Sequence, residues 1–184
     1  MRVSLTRRRL GVGAFLSLVL VVGVTWFLVD RTDRVPNACP LVSAEDIAPL
    51  VAHPSKRAHR FSGDHSICKW TEGREELVVE VERYAGKGGK DGKWRAGEVI
   101  ARYVGSSGTV VRPPDKKGRV DEVREWLSPF SEWYMHIALR FDDIVVFISY
   151  EPDGGVKGCG PGCADAHEPA FHKLAEDVMK KFSE

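Results

Sequence analysis

Cys159, Cys163, His167 and His172 stand as C-x3-C-x3-H-x4-H, residue types that zinc accepts. The spacing argues against a finger. About 12 residues normally part the cysteine pair from the histidine pair, and here only three do. On a helix, His167 and His172 are five apart and point to different faces. Gly86 to Lys93 reads GKGGKDGK and suggests a phosphate loop. Trp94, however, stands where Ser or Thr should hold Mg²⁺, and no clear helix follows, so the stretch reads as a hairpin or loop. Gly105-Ser106-Ser107-Gly108 is one residue short of a nucleophile elbow. No catalytic, cofactor-binding or metal-binding residue is assigned from these patterns.

Four further groups carry chemical potential. His136 lies beside Tyr134 and Arg140, on the strand face opposite Trp133 and Ile137, and has the type of a general base. No partner carboxylate can be placed for it. His53, His59 and His65 share one polar stretch and show no metal spacing. Lys87, Lys90, Lys93 and Arg95, with Trp94 among them, form a loop suited to an anionic polymer or lipid headgroup. Arg112, Lys116, Lys117 and Arg119 make a second basic stretch. Most charge runs only solvate a surface, so the bland reading of both is a solvated loop.

Location follows from the amino-terminal end. Leu10–Val29 holds no charge over 20 residues, enough for a helix to cross a bilayer. Arg2, Arg7, Arg8 and Arg9 precede it without an acid, and Asp30, Arg31, Asp33 and Arg34 cancel after it. The positive-inside rule then puts the amino terminus in the cytoplasm and the bulk of the chain outside. A cleaved signal peptide is the alternative and would give a secreted protein. It calls for small residues after a shorter apolar run, whereas this run ends Trp26-Phe27-Leu28-Val29-Asp30. Lipidation at Cys39 would need that residue to abut the run, and Asp30–Ala38 intervene. Arg7-Arg8 reads as part of a plain cationic segment, not a twin-arginine address.

The four cysteines, Cys39, Cys68, Cys159 and Cys163, all fall on the outer side, where an even count reads as disulfides. Three connectivities are open. The expected pairs are Cys39–Cys68, which ties the entry segment to a strand, and Cys159–Cys163 around the turn-prone Gly160-Pro161-Gly162.

The elements around these residues predict an α+β domain. Ser43-Ala44-Glu45-Asp46 is a capping box, and Pro49 keeps its helix short or distorted. A polar loop is expected up to Ser66. Ile67–Trp70 and Leu77–Tyr84 read as strands, the latter alternating. Trp133–Phe141, a turn at Asp142-Asp143 and Ile144–Tyr150 form a hairpin. Val99, Ile100, Tyr103 and Val104 fit helix or strand, and Val120, Val123 and Leu127 permit a short helix. Phe171, Leu174, Ala175, Val178 and Phe182 recur at helical steps, with Pro169 expected in the first turn.

Cys39-Pro40-Leu41-Val42-Ser43-Ala44-Glu45-Asp46-Ile47, followed by Cys68-Lys69-Trp70, resembles the opening of small exported actinobacterial proteins of unknown function. Many of those are lipoproteins with a Cys-x-Leu-Leu-Thr-x-x-Glu-Val start and a Cys-x-Trp on the first strand. The resemblance spans residues 37–182, and only the two cysteine motifs are specific. It implies a Cys39–Cys68 bridge and a compact α+β fold similar to the PsbP-like sandwich of related mycobacterial lipoproteins. It supplies no catalytic residue. Pro49, the apolar run in place of a lipid-bearing cysteine, and the Cys159/Cys163 pair depart from the family pattern.

The expected organisation is a cytoplasmic basic segment (1–9), a transmembrane signal-anchor (10–29), a linker (30–36) and an extracytoplasmic domain (37–184). That domain is an antiparallel sheet with amino- and carboxy-terminal helices packed on it. The formal net charge is +1, and it splits: the chain from Val35 onward carries 21 Lys+Arg against 24 Asp+Glu. A mildly acidic domain argues against nucleic acid as a partner. The expected function is a non-enzymatic binding or accessory module of the cell envelope, with an envelope protein or polymer as partner. The alternative is an envelope hydrolase with a histidine-containing site.

Overall fold

The computed structural model describes residues 34–104, 109–110, 120–128, 131–152 and 162–183. From Val35 onward they belong to one compact unit, Val35–Glu184. The apolar run 10–29 and the Cys159–Cys163 pairing lie outside the described residues. Among the described residues no helix is long and apolar enough to cross a membrane.

The entry segment makes a 3-10 turn, Cys39–Leu41, and a short helix α1, Ala44–Ile47. The capping box forms as expected: Asp46 N–H donates to Ser43 Oγ at 3.2 Å, and Ser43 N–H donates to Asp46 Oδ2 at 3.1 Å. Cys39 and Cys68 are bridged, with their Cα atoms 5.0 Å apart. A disulfide fits an oxidising compartment.

The sheet follows: β1 Ser55–Ser62, β2 His65–Glu72, β3 Glu75–Arg83, β4 Thr109–Val110, β5 Glu122–Ser128, β6 Ser131–Phe141 and β7 Ile144–Glu151. All pairs are antiparallel, in the order β1-β2-β3-β7-β6-β5-β4. Two meanders thus meet where β7 joins β3. Helix α2, Gly92–Val104, falls between them in sequence, and α3, Gly162–Ser183, closes the chain.

Alternation sorts side chains to two cores. On one face Cys68, Trp70, Leu77, Val79, Val81, Ile137, Leu139, Val146, Ile148 and Tyr150 are buried under the entry segment and α3. Phe171, Leu174, Ala175 and Val178 of α3 fill that side, at the helical steps read from sequence. Tyr150 hydroxyl donates to the Leu50 carbonyl at 2.9 Å, which satisfies two buried polar groups and holds the entry segment on the sheet. On the other face α2 places Ala96, Ile100 and Val104, four apart, on Trp126, Ala138 and Val145.

Four local expectations are corrected. The stretch expected as a polar loop up to Ser66 contains β1, all eight of whose residues are exposed. Residues 122–128 form β5, not a helix. The short helix that Val120, Val123 and Leu127 permit is not formed: Val123 enters one core and Trp126 the other, as strand alternation places residues three apart. The glycine-rich loop does open a helix, because Asp91 caps α2 by accepting from Trp94 N–H at 2.7 Å. Helix α3 starts at Gly162, so Pro169 lies inside it, not in its first turn.

Candidate functional site

The five residues of the expected anionic-ligand loop come together where β3 hands over to α2. Lys87 and Lys90 face each other across a tight turn: Lys87 N–H donates to Lys90 O at 2.9 Å, and Lys90 N–H to Lys87 O at 3.2 Å. Gly88 and Gly89 between them have φ of 63° and 79°, the left-handed region that glycine enters without strain. Lys90 Nζ sits 3.1 Å from the centre of the Trp94 ring and 3.8 Å from Glu98. Lys93 reaches Asp121 at 3.3 Å and Asp142 at 3.8 Å. Arg95 donates to the Ala85 carbonyl. Three of these cations therefore have protein partners, all close to the surface. Among the described residues, Lys87 has no side-chain partner.

Lys93 and Trp94 also form one end of an open cleft of about 560 Å³ along α2, with Gly97, Glu98, Ala101, Arg102 and Arg140. Trp94, Gly97, Glu98, Ala101 and Arg102 follow helical steps of three and four, which aligns them as one stripe. Gly97 and Ala101 keep the floor low. Arg140 enters from β6, held by Glu122 at 3.1 Å and Asp121 at 3.4 Å. Asp121 is pulled below the ordinary carboxylate range. Burial acts against that shift, and the Asp142 N–H, Lys93 and Arg140 outweigh it. The cleft thus holds three cations, each paired with a carboxylate (Arg102 stands 3.8 Å from Glu98), beside a half-exposed indole. Arg102, Arg140, Gly97 and Ala101 were not expected from sequence. The stripe becomes readable only once residues 92–104 are assigned as helix.

His136 lies on the sheet face that α2 partly covers. Its Nδ1 is 2.9 Å from Ser149 Oγ on β7. Its ring stacks between Trp126, centroids 5.1 Å apart, and Tyr134, 5.2 Å apart. Burial lowers its pKa to about 4, so the imidazole is neutral at pH 7. A serine beside a neutral imidazole has the types of a nucleophile and base. The surroundings do not continue that pattern. His136 and Ser149 sit mid-strand in β6 and β7, each paired on both sides, so the ladder uses the backbone N–H groups that an oxyanion would need.

The remaining histidines spread out. His53 is 3.1 Å from Glu72, and His65 is 2.6 Å from Glu80. His59, Phe61 and His65 stack in series, with centroids 6.1 and 4.9 Å apart. His167 packs edge-on against Tyr150, whereas His172 bonds Glu125 at 2.7 Å. Glu125, Glu168 and His172 bring three donor atoms within 4.8 Å of one another, types that suit a divalent cation. The His172–Glu125 hydrogen bond accounts for that arrangement without an ion. In comparisons with known proteins, no family model matches the chain, and no curated protein or solved structure matches it.

Proposed function

We propose that this protein is a membrane-anchored extracytoplasmic binding module of the cell envelope, which takes an anionic envelope polymer in the cleft beside α2. The observation that carries this reading is the convergence of Lys93, Arg102, Arg140 and the Trp94 ring on one open cleft. The indole face that Lys90 leaves uncovered, beside small residues, suits a sugar or glycerol unit, and the cations suit its phosphate or carboxylate groups. Glu98 accepts from hydroxyls. The Cys39–Cys68 bridge supports an oxidising location, and the uncharged 20 residues of Leu10–Val29 support the anchor. The resemblance to small exported actinobacterial proteins belongs to the same reading.

Titration of the full chain in detergent with polyglycerol phosphate, followed by tryptophan fluorescence, tests it. Saturable binding that Lys93→Glu and Trp94→Ala each weaken about tenfold is expected. Equal binding by both variants, or no binding to any anionic envelope polymer, overturns the reading. The hydrolase alternative rests on the 2.9 Å His136–Ser149 pair. Covalent labelling of Ser149 by a fluorophosphonate, lost in His136→Gln, would put a hydrolase in place of the binding module.

A further inference from the structure

The β1–β2 hairpin presents an unusual end to solvent. Strand β1 carries Lys56, Arg57 and Arg60 and no acid, and it forms the outer edge of the sheet. Phe61, near its tip, is 64% exposed, and its ring stacks on His65. Cations flanking an exposed aromatic ring are the signature of a surface that rests at a membrane interface.

The chain's own course brings lipid to this end. The anchor reading leaves five residues, 30–34, between the apolar run and Val35. Five residues span at most about 18 Å. Val35 is fixed to the hairpin tip: its N–H donates to the Gly63 carbonyl at 2.7 Å, and its carbonyl accepts from Arg60 Nη2 at 3.0 Å. The β6–β7 turn and the exit of β3 lie at the same end, since Arg83 N–H bonds Asp64 O and Tyr84 N–H bonds Asp143 O, both at 2.8 Å. Lys87 follows that exit. Of the acids at this end, Asp64 accepts from Ser62, Glu80 lies 2.6 Å from His65 and Glu82 accepts from Tyr84 at 2.5 Å, while the more exposed Asp142 of the β6–β7 turn stands 3.8 Å from Lys93.

We infer that the outer edge of β1, from Phe61 and Arg60 near the hairpin tip back to Arg57 and Lys56, docks on the surface of an anionic lipid bilayer. The inference rests on the anchor reading. The ring enters the headgroup layer, and the cations meet lipid phosphates. A second copy of the chain is a poorer occupant, because edge-to-edge pairing of two β1 strands sets cations against cations. Docking holds the sheet in one orientation and keeps the α2 cleft at a set height above the bilayer.

The test uses the full chain in nanodiscs, one copy each, of phosphatidylcholine alone or with phosphatidylglycerol. Retention in vesicles through an alkaline carbonate wash reports the anchor. Amide hydrogen exchange over residues 56–62 reports docking. Each basic residue at an anionic surface is worth about fivefold in occupancy, so exchange in β1 slows at least about fivefold in the phosphatidylglycerol discs. The double variant Arg57→Glu/Phe61→Ser loses this protection while α3 exchanges as in wild type. Loss of the chain from washed vesicles refutes the anchor and the docking together. Retention with β1 exchange equal in the two discs overturns the docking alone and leaves the anchor standing.

Discussion

Gly92 lies against the carbonyl oxygen of Tyr84: a β-carbon built on Gly92 would overlap that oxygen and come within 2.8 Å of Asp143 Cβ. The close approach locks the start of α2 onto the end of β3 and the β6–β7 turn. Gly92→Ala is expected to cost about 2–3 kcal/mol, because backbone must move. Gly97, five residues on, has nothing within 4 Å of such a carbon. Gly97→Ala is expected to stabilise by about 0.5–1 kcal/mol, the ordinary helix-interior gain. Urea denaturation of the two variants checks the opposite signs.

His136 predicts a pH dependence. Its pKa falls from 6.5 to about 4 on folding because burial disfavours the imidazolium. The unfolded chain therefore binds the proton first. Stability is full above about pH 6.5 and drains as pH falls toward 4. The loss is about 2 kcal/mol once partial solvent access is allowed for. Chemical denaturation at a series of pH values should show this slope in wild type and a flatter one in His136→Gln. An equal slope in both would remove His136 as its source.

Much of the fold was legible where one face is wet and the other dry. β3 alternates, and the buried positions of α3 repeat at helical steps; the β6–β7 hairpin, covered on both faces, was readable from its two apolar runs around the Asp142-Asp143 turn. β1 was not legible, because an edge strand exposed on both faces leaves no alternation to read. β5 was not, because Val120, Val123 and Leu127 fall at helical steps and β5 feeds two cores, Val123 one and Trp126 the other. For the cleft, Lys93 and Trp94 stood out by type and spacing. Arg140 is brought in by sheet register, across a sequence gap that no local pattern spans. Ser149 meets His136 by the same register.

Asp46 predicts a second, more acidic transition. Its carboxyl moves from 3.8 to about 2. Burial opposes this shift, and the Ser43 hydroxyl, Lys173 and the Ser43 N–H outweigh it. Lys173 Nζ stands 3.0 Å from Asp46 Oδ1, tying α3 to the entry segment. The contribution is complete above about pH 4 and lost as pH falls through 2. Allowing for the exposed Lys173, it is worth about 1–2 kcal/mol. Asp46→Asn should lose it at neutral pH, as thermal unfolding at pH 7 and pH 2.5 would show.

The Cys39–Cys68 bridge closes a loop of 29 positions. By the loop-entropy relation, Cys39→Ala/Cys68→Ala should cost about 3–4 kcal/mol. Guanidinium denaturation of the oxidised wild type and the double variant gives the difference. A variant as stable as wild type would show that the entry segment holds without the bridge.

The same bridge decides how the molecule carries mechanical load. A pull on the amino terminus passes through Arg34 to Cys39 and crosses at once to Cys68 on β2, which is hydrogen-bonded between β1 and β3. The covalent shortcut bypasses residues 40–67, so α1 and β1 are spared the tension. Stretched in a force spectrometer, the oxidised chain hides about 100 Å of contour length, at roughly 3.6 Å per residue. Reduction releases it.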